Sequence, residues 1–315
     1  MAFTSGAGTG GQAGPPIDLP EAAGRRLAAK SFSSALSVAD FAACLHMGMR
    51  PVGLVQGFCA MGWNPGYYLP SQTNYGNQWQ GGYGTSWSGW GNVLDNYYCP
   101  HSIIASAEHP SRGYNIEATG IEATWAEGYN ATYRRMLEEA EALGAHGVIG
   151  VTDATKPLIG PRVREFHLLG TAVVMDGQPA PDRVWSTYLA GSKLGKLFEA
   201  GLAPVSVVGA FAAVTVLPVC VTEIQENGRW DTYGVVSPYG EIGQLSDAQT
   251  SARRLVRDHI KSTLDGGALH GADLRVSEDS LVGRTTISAV LRGTKVRRVR
   301  DAEPLPQPVP TVRLS

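Results

Sequence analysis

The chain has 315 residues, enough for about two ordinary domains. Hydrophobic residues make up 43% of it, charged residues only 17%, and the formal net charge is −2. A net negative charge does not attract nucleic acid or an acidic membrane, so we expect no nucleic-acid partner. The four cysteines form no paired motif, which favours reduced thiols and a cytoplasmic location.

The N-terminal segment, residues 1–30, is predicted to be a disordered tail. It is rich in small residues and lacks the basic region and apolar run of a secretory signal. A first domain is predicted at 31–175, and it opens with a short helix at about 38–47. Ser37 can cap the start of this helix, and Gly48 can close its end in the left-handed conformation. A β-rich strand follows.

An insertion rich in Gly, Tyr and Trp is predicted at 62–101 within the first domain. Rigid aromatic side chains in a polar frame are typical of binding surfaces, and no Lys or Arg is interleaved to meet phosphates. We predict that the insertion contacts another protein chain, either a second copy or a different partner. The alternative is a low-complexity loop that orders against a neighbouring subunit. The predicted contact residues are Trp63, Tyr67, Tyr68, Tyr75, Trp79, Tyr83, Trp87, Trp90, Tyr97 and Tyr98.

Each half of the chain contains one long amphipathic helix, followed by a Gly-rich turn and two strands. In the second half, Ser246 and Gln249 have the spacing of a capping box at the start of that helix. The apolar face of the first helix comprises Trp125, Tyr129, Tyr133, Leu137 and Ala140. The apolar face of the second comprises Ala248, Ala252, Val256, Ile260 and Leu264.

A polar, proline-bearing linker at 176–184 separates the first domain from a second, at 185–301. The second domain contains an uncharged run, 202–222, that is long enough to cross a bilayer. Its prolines and many valines fit a buried strand better, so membrane association is the less favoured interpretation. Residues 302–315 are predicted to be a Pro-rich, extended tail.

The two halves repeat a pattern at a fixed separation of 153 residues, which indicates a duplicated unit. The matched pairs are Gly48 with Gly201, Pro51 with Pro204, Val52 with Val205, Val55 with Val208, and Phe58 with Phe211. Ala145-His146-Gly147 also resembles Leu269-His270-Gly271, and Gly170-Thr171-Ala172-Val173 resembles Gly293-Thr294-Lys295-Val296. The second domain is the more divergent copy.

The stretches 136–151 and 167–174 resemble the YbjQ family of small bacterial proteins (UPF0145). The likeness lies in a helix ending in Ala-Leu-Gly-Ala, an apolar strand, and a closing Gly-Thr-Ala-Val strand. The resemblance implies two tandem YbjQ-like domains, each a small, mainly antiparallel sheet packed by one long helix and a short N-terminal helix. It also implies ring-like homopentamers and carries a heavy-metal-binding label, but it transfers no catalytic residue.

A metal site is the second interpretation of the insertion. Cys99 and His101 are two residues apart, and Cys59 and His109 flank them, so the four could bind a transition metal such as zinc. A structural zinc site usually shows two close ligand pairs, whereas only one pair is visible, so ordinary loop and strand positions are the alternative.

Four other groups of residues have plain structural interpretations. His146 and His270 are predicted to be equivalent histidines at the negative ends of helices, although they could line a symmetric ring. The basic residues Arg292, Lys295, Arg297, Arg298 and Arg300 are predicted to protect an edge strand from association. Glu138, Glu139 and Glu141 fit a solvated helix face, and Cys44 and His46 point to different faces of their helix.

The sequence therefore predicts an α+β protein that assembles or binds rather than catalyses. No hydrolase, P-loop, zincin or dinucleotide motif is present, although an enzyme of unrecognised type stays an alternative. We expect a homo-oligomer, as a pentameric ring, stacked rings, or a ring with an even number of domains.

Overall fold

A computed structural model of the chain describes residues 21–28, 32–62, 114–159, 163–217, 242–281 and 284–300. They form an α+β structure with two sheets, as the sequence predicts. The elements of the first half are α1 (Glu21–Ala28), α2 (Val38–His46), β1 (Met49–Gly62), β2 (Tyr114–Glu117), α3 (Thr119–Ala142), β3 (Gly147–Asp153), β4 (Lys156–Ile159) and β5 (Val163–Met175). Those of the second half are β6 (Trp185–Ser186), α4 (Gly191–Glu199), β7 (Leu202–Leu217), α5 (Gly243–Leu264), β8 (Ala268–Leu281) and β9 (Arg284–Arg298).

The two sheets have the same core strand order and exchange strands between the halves. The first sheet runs β1-β5-β3-β6, with β4 also on β5, and the second runs β2-β7-β9-β8. All pairings are antiparallel except the short parallel one between β3 and β6. Strand β2 precedes α3 in the first half but pairs with β7, whereas β6 of the second half pairs with β3. Each half thus completes the sheet of the other.

Irregularities at matched positions show how closely the halves correspond. The β1–β5 ladder has a bulge between Pro51 and Gly53, and the β7–β9 ladder has one between Pro204 and Ser206. Proline has no N–H for the ladder, so a bulge is the expected way to accommodate it. The glycines that follow α2 and α4, Gly48 and Gly201, have φ values of 69° and 71°.

A second pair of bulges corrects one sequence prediction. The β3–β5 ladder is irregular around Gly150, and the β8–β9 ladder around Gly271, and both glycines have positive φ. Gly271 therefore matches Gly150, so His270 matches Ile149 and not His146. The predicted equivalence of the two histidines is wrong because the turn after α5 is shorter than the turn after α3.

Helix α3 lies between the two sheets, and α5 covers the far face of the second sheet. The side chains of β7 alternate between these layers: Phe211 and Ala213 pack towards α3, and Ala210 and Ala212 pack towards α5. A strand buried on both faces accounts for the uncharged run at 202–222, as far as Leu217. No helix in the described ranges has the length and apolar character of a membrane span.

The short helices α2 and α4 pack against each other and cover one end of the sheets. Cys44 of α2 and Leu194 and Leu197 of α4 are buried there. The predicted cap is present, because Ser37 accepts a hydrogen bond from the Asp40 N–H at 3.1 Å. Helix α1 lies inside the segment for which the sequence predicts a tail.

Two further predictions do not hold. Helix α5 begins at Gly243, so Ser246 and Gln249 lie within it and the predicted capping box is wrong. The basic residues of β9 do not guard an edge, because β9 lies between β7 and β8. One of them, Arg292, is buried in an ion pair, and Lys295 donates to the carbonyl oxygen of Thr263 at 3.1 Å. Sequence order alone does not show that the last strand of a chain takes a central place.

Candidate assembly surface

Aromatic rings join the two halves of the chain at α3. Trp125 of α3 stacks on Phe211 of β7, with ring centroids 5.6 Å apart and an interplanar angle of 12°. The same indole meets Phe166 of β5 edge-on at 6.1 Å and stacks on Tyr129 at 4.9 Å. All four side chains are buried. Since aromatic pairs add to the free energy of apolar burial, this cluster holds the two sheets on either side of α3.

Hydroxyl groups continue the junction beside the aromatic cluster. The hydroxyl groups of Tyr129 and Tyr188 lie 3.2 Å apart, and that of Tyr133 lies 2.8 Å from Ser186 Oγ. Ser186 Oγ also accepts a hydrogen bond from the Val207 N–H at 2.9 Å. Burial raises the pKa of Tyr133 to about 12, and it also raises the pKa of Tyr129 and of Tyr188. The three phenols therefore stay neutral and serve as hydrogen-bonding groups.

One buried ion pair connects the sheets. Arg292 Nε of β9 lies 3.0 Å from Asp153 Oδ2 at the end of β3, and their side chains are 12% and 3% exposed. The two atoms face each other without the alignment of a hydrogen bond. Burial raises the pKa of Asp153, although Arg292 and a hydrogen bond from Thr155 oppose that shift. The desolvation of this carboxyl group therefore outweighs the attraction of its partner.

A cluster of two carboxyl groups and one histidine lies where β2, α3 and α5 meet. One ligand atom each of Glu117, Glu122 and His259 lies within 4.8 Å of the others, and among the described residues this group could hold a metal ion. Glu122 accepts a hydrogen bond from the Ala213 N–H at 2.9 Å, and His259 Nδ1 lies 3.0 Å from the Phe211 carbonyl oxygen. Burial and the neighbouring Glu117 raise the pKa of Glu122 to about 7. The Glu122 carboxyl group is therefore partly protonated near neutral pH.

Matched hydrogen bonds identify equivalent surfaces in the two halves. Thr294 Oγ1 of β9 accepts from the Tyr188 N–H at 3.1 Å and contacts the Thr187 hydroxyl at 3.1 Å. Thr171 Oγ1 of β5 accepts from the Ala35 N–H at 3.1 Å and contacts the Ser34 hydroxyl at 3.3 Å. Hence 34–35 matches 187–188, at the same separation as Phe58 and Phe211.

Two aromatic residues are covered in the second half and exposed at the matched positions of the first. Phe211 is 4% exposed beneath Trp125, whereas Phe58 is 46% exposed. Trp185 packs its ring over Gly147, leaving no room there for a Cβ atom. Its counterpart Phe32 is 56% exposed. Exposed apolar side chains are typical of an interaction site where they belong to a contiguous patch.

Phe58 lies on a wider surface, which we call the outer face of the first sheet. This outer face points away from α3. It consists of half-buried or exposed side chains on the paired strands β1 and β5. Its members are Leu54, Gln56, Phe58 and Ala60 of β1 and His167 and Leu169 of β5. This arrangement can bind another protein surface, and no acid–base or nucleophilic pair is formed by these six side chains.

The structure places only one of the residues predicted from the sequence to bind a metal or a partner. Cys59 is buried on the α3 side of β1, within the apolar core. Cys99, His101, His109 and all ten predicted aromatic contact residues lie outside the described residues. The metal site and the contact surface of the insertion therefore stay predictions. The outer face of the first sheet was missed, although the match of Phe58 with Phe211 was the signal that could have found it.

Comparison with known proteins gives one distant relative. The chain is 26% identical, over 285 residues, to a Mycobacterium tuberculosis protein named Encapsulin nanocompartment protein Rv1762c. The match covers 88% of this chain and 89% of that protein. No family model matches the chain, and no solved structure gives a significant match.

The comparisons overturn the resemblance to the YbjQ family. No model of that family matches the chain. The relative that does match is named as a nanocompartment protein, and the match covers nearly the whole of both chains. The short motifs that suggested the family are a helix end, a turn and an apolar strand. Such motifs recur in unrelated α+β proteins because they reflect local structure.

Proposed function

We propose that this chain is a non-catalytic protein that self-associates into a closed homo-oligomer and contributes to a protein nanocompartment. The observation that carries the proposal is the outer face of the first sheet, where Phe58 is 46% exposed at a position whose counterpart is buried. An aromatic side chain left in water on an otherwise ordered strand loses the free energy that burial would provide. A second protein surface would recover it.

Two other features support the proposal. The relative over 88% of the chain is named for a nanocompartment, whose formation requires many protein copies. The buried titratable groups described above lie at the junction of the two halves, where tyrosine hydroxyls and the Asp153–Arg292 pair connect structural elements. These groups have structural partners, which favours a scaffold over a catalytic centre.

The test is the mass of the full chain in solution. One chain weighs 33.4 kDa, and we expect light scattering at micromolar concentration to give a whole-number multiple of that mass. Electron microscopy of the same sample then separates a small ring from a hollow shell. A single-chain mass that persists at high protein concentration would refute self-association.

A further inference from the structure

We infer that copies of the chain assemble head to tail: α5 and the β8 edge of one copy cover Phe58 and Phe32 of the next. The inference rests on the proposed self-association and identifies the two surfaces that meet. The contact within the chain, where α3 covers Phe211, is its template.

Helices α3 and α5 contact matched positions of the two sheets. In the first half, Arg135 of α3 donates a hydrogen bond from Nη1 to the carbonyl oxygen of Phe58. In the second half, His259 Nδ1 of α5 lies 3.0 Å from the carbonyl oxygen of Phe211. Since Phe58 and Phe211 are matched, Arg135 and His259 are matched as well. Helices α3 and α5 therefore correspond in position and in register.

The outward faces of α3 and α5 lie in different surroundings. Helix α3 packs on the first sheet with one face and on the second sheet with the other, through Trp125 and Tyr129. Trp125 and Tyr129 precede Arg135 by the same numbers of residues as Gln249 and Arg253 precede His259. Gln249 therefore matches Trp125, and Arg253 matches Tyr129. Gln249 and Arg253 are only partly buried, because α5 packs on the second sheet alone. Helix α5 thus has an outward face of the kind that would cover a matching sheet.

The edge of β8 corresponds to the edge of β3 on which Trp185 pairs. Trp185 pairs in parallel with Gly147 of β3, and the Trp185 N–H donates to the His146 carbonyl oxygen at 3.2 Å. Phe32 matches Trp185, and Ala268 of β8 matches Gly147. Among the described strands, β8 ends the second sheet. A parallel contact between the Phe32 segment of one copy and β8 of another would repeat the β6–β3 pairing.

These two contacts involve different surfaces of each copy. Such a heterologous contact generates a ring when its rotation closes and a filament when it does not. Because every chain brings two matched halves, a closed ring would contain an even number of them. Arg253 would lie over the Phe58 ring where Tyr129 lies beside Phe211, and a guanidinium group packs well against an aromatic face.

The test compares Phe58→Arg with a matched control, Val299→Arg. Val299 is 55% exposed and follows the end of β9, so it belongs to neither the outer face of the first sheet nor α5 or β8. Phe58→Arg removes the ring and sets a positive charge against Arg253 of the next copy. We expect Phe58→Arg to reduce the light-scattering mass to that of one chain, and Val299→Arg to keep the wild-type mass. Circular dichroism checks that both variants are folded.

A charge-reversed double variant tests the identity of the partner surface. Phe58→Arg combined with Arg253→Glu places opposite charges across every head-to-tail contact, so we expect recovery of the oligomer. If folded Phe58→Arg keeps the wild-type mass, the head-to-tail inference is wrong while self-association stands. Dissociation without recovery in the double variant would overturn the assignment of α5. A wild-type chain that is itself monomeric would overturn the proposed function.

Discussion

The buried ion pair between Asp153 and Arg292 joins the two sheets, and its loss should lower the free energy of unfolding by an amount that can be stated in advance. Arg292→Met keeps most of the aliphatic stem of the side chain but leaves Asp153, which is 3% exposed, without its cation. Breaking a buried ion pair by removing one partner typically costs about 3–5 kcal/mol. We expect a loss of that size in the free energy of unfolding at pH 7, measured by urea denaturation followed by tryptophan fluorescence.

The pH dependence of this loss gives a second measurement on the same variant. Burial already raises the pKa of Asp153, and removing Arg292 would raise it further. A carboxyl group whose folded pKa exceeds its unfolded value stabilises the fold below the unfolded value and loses that contribution as pH rises. The deficit of Arg292→Met relative to wild type should therefore shrink on acidification. Adding Asp153→Asn should recover much of the stability at pH 7, because no uncompensated charge remains.

An exposed pair on α5 provides the control. Lys261 Nζ lies 3.3 Å from Asp258 Oδ1, but these side chains are 72% and 57% exposed. Exposed ion pairs contribute about 0–1 kcal/mol, so Lys261→Met should cost little. If Arg292→Met costs no more than Lys261→Met, the argument that burial determines the energy of this pair is refuted.

Three further predictions concern single groups. Glu122→Gln keeps the acceptor for the Ala213 N–H but removes a carboxyl group of raised pKa, about 7, so stability should rise by about 2–3 kcal/mol at pH 8 and change little at pH 4. Chemical denaturation at both pH values checks this, with exposed Glu127→Gln as the control. Gly57→Ala should cost on the order of 3 kcal/mol or more, because its Cβ atom would lie 1.8 Å from the Thr132 carbonyl oxygen, whereas Gly62→Ala meets nothing within 4 Å. A lowering of the melting temperature that is no larger for Gly57→Ala than for Gly62→Ala would contradict this. Tyr133 has a pKa of about 12, so it should ionise only as the protein unfolds in alkali, and its contribution to stability is lost as pH rises above 10. The difference between the absorption spectra of wild type and Tyr133→Phe measures this ionisation. A phenolate signal from Tyr133 in folded protein at pH 10 would contradict the prediction.

Local patterns allowed the sequence to predict the class of fold and the type of most elements. The spacing of Trp125 and Tyr129 predicted α3, and the valines and prolines of the uncharged run predicted the strand β7. These signals work because apolar periodicity and backbone restriction act within a few residues. The capping box at Ser246 failed because the helix had already begun at Gly243, where Asn115 of β2 donates a hydrogen bond to the Gln244 carbonyl oxygen.

The features that required the structure depend on contacts between distant parts of the chain. Nothing in the residues of β2 shows that it pairs with β7 of the second half and not with a strand of its own half. The place of β9 between two strands and the partner of Arg292 are likewise set by topology. The family resemblance failed for a related reason, since motifs at turns and strands report local structure and not descent.

The two matched contacts differ in chemistry, and this difference bears on the order of assembly. Within the chain, Phe211 packs against Trp125 and Tyr129, which is an apolar contact that needs no partner molecule. Between copies, the inferred contact would use the matched positions of α5, Gln249 and Arg253, which are only partly buried within the chain. The head-to-tail contact should therefore be weaker and more sensitive to salt than the contact within the chain. We expect such a chain to fold as a complete unit first, so that concentration and ionic strength can change its assembly without unfolding either half.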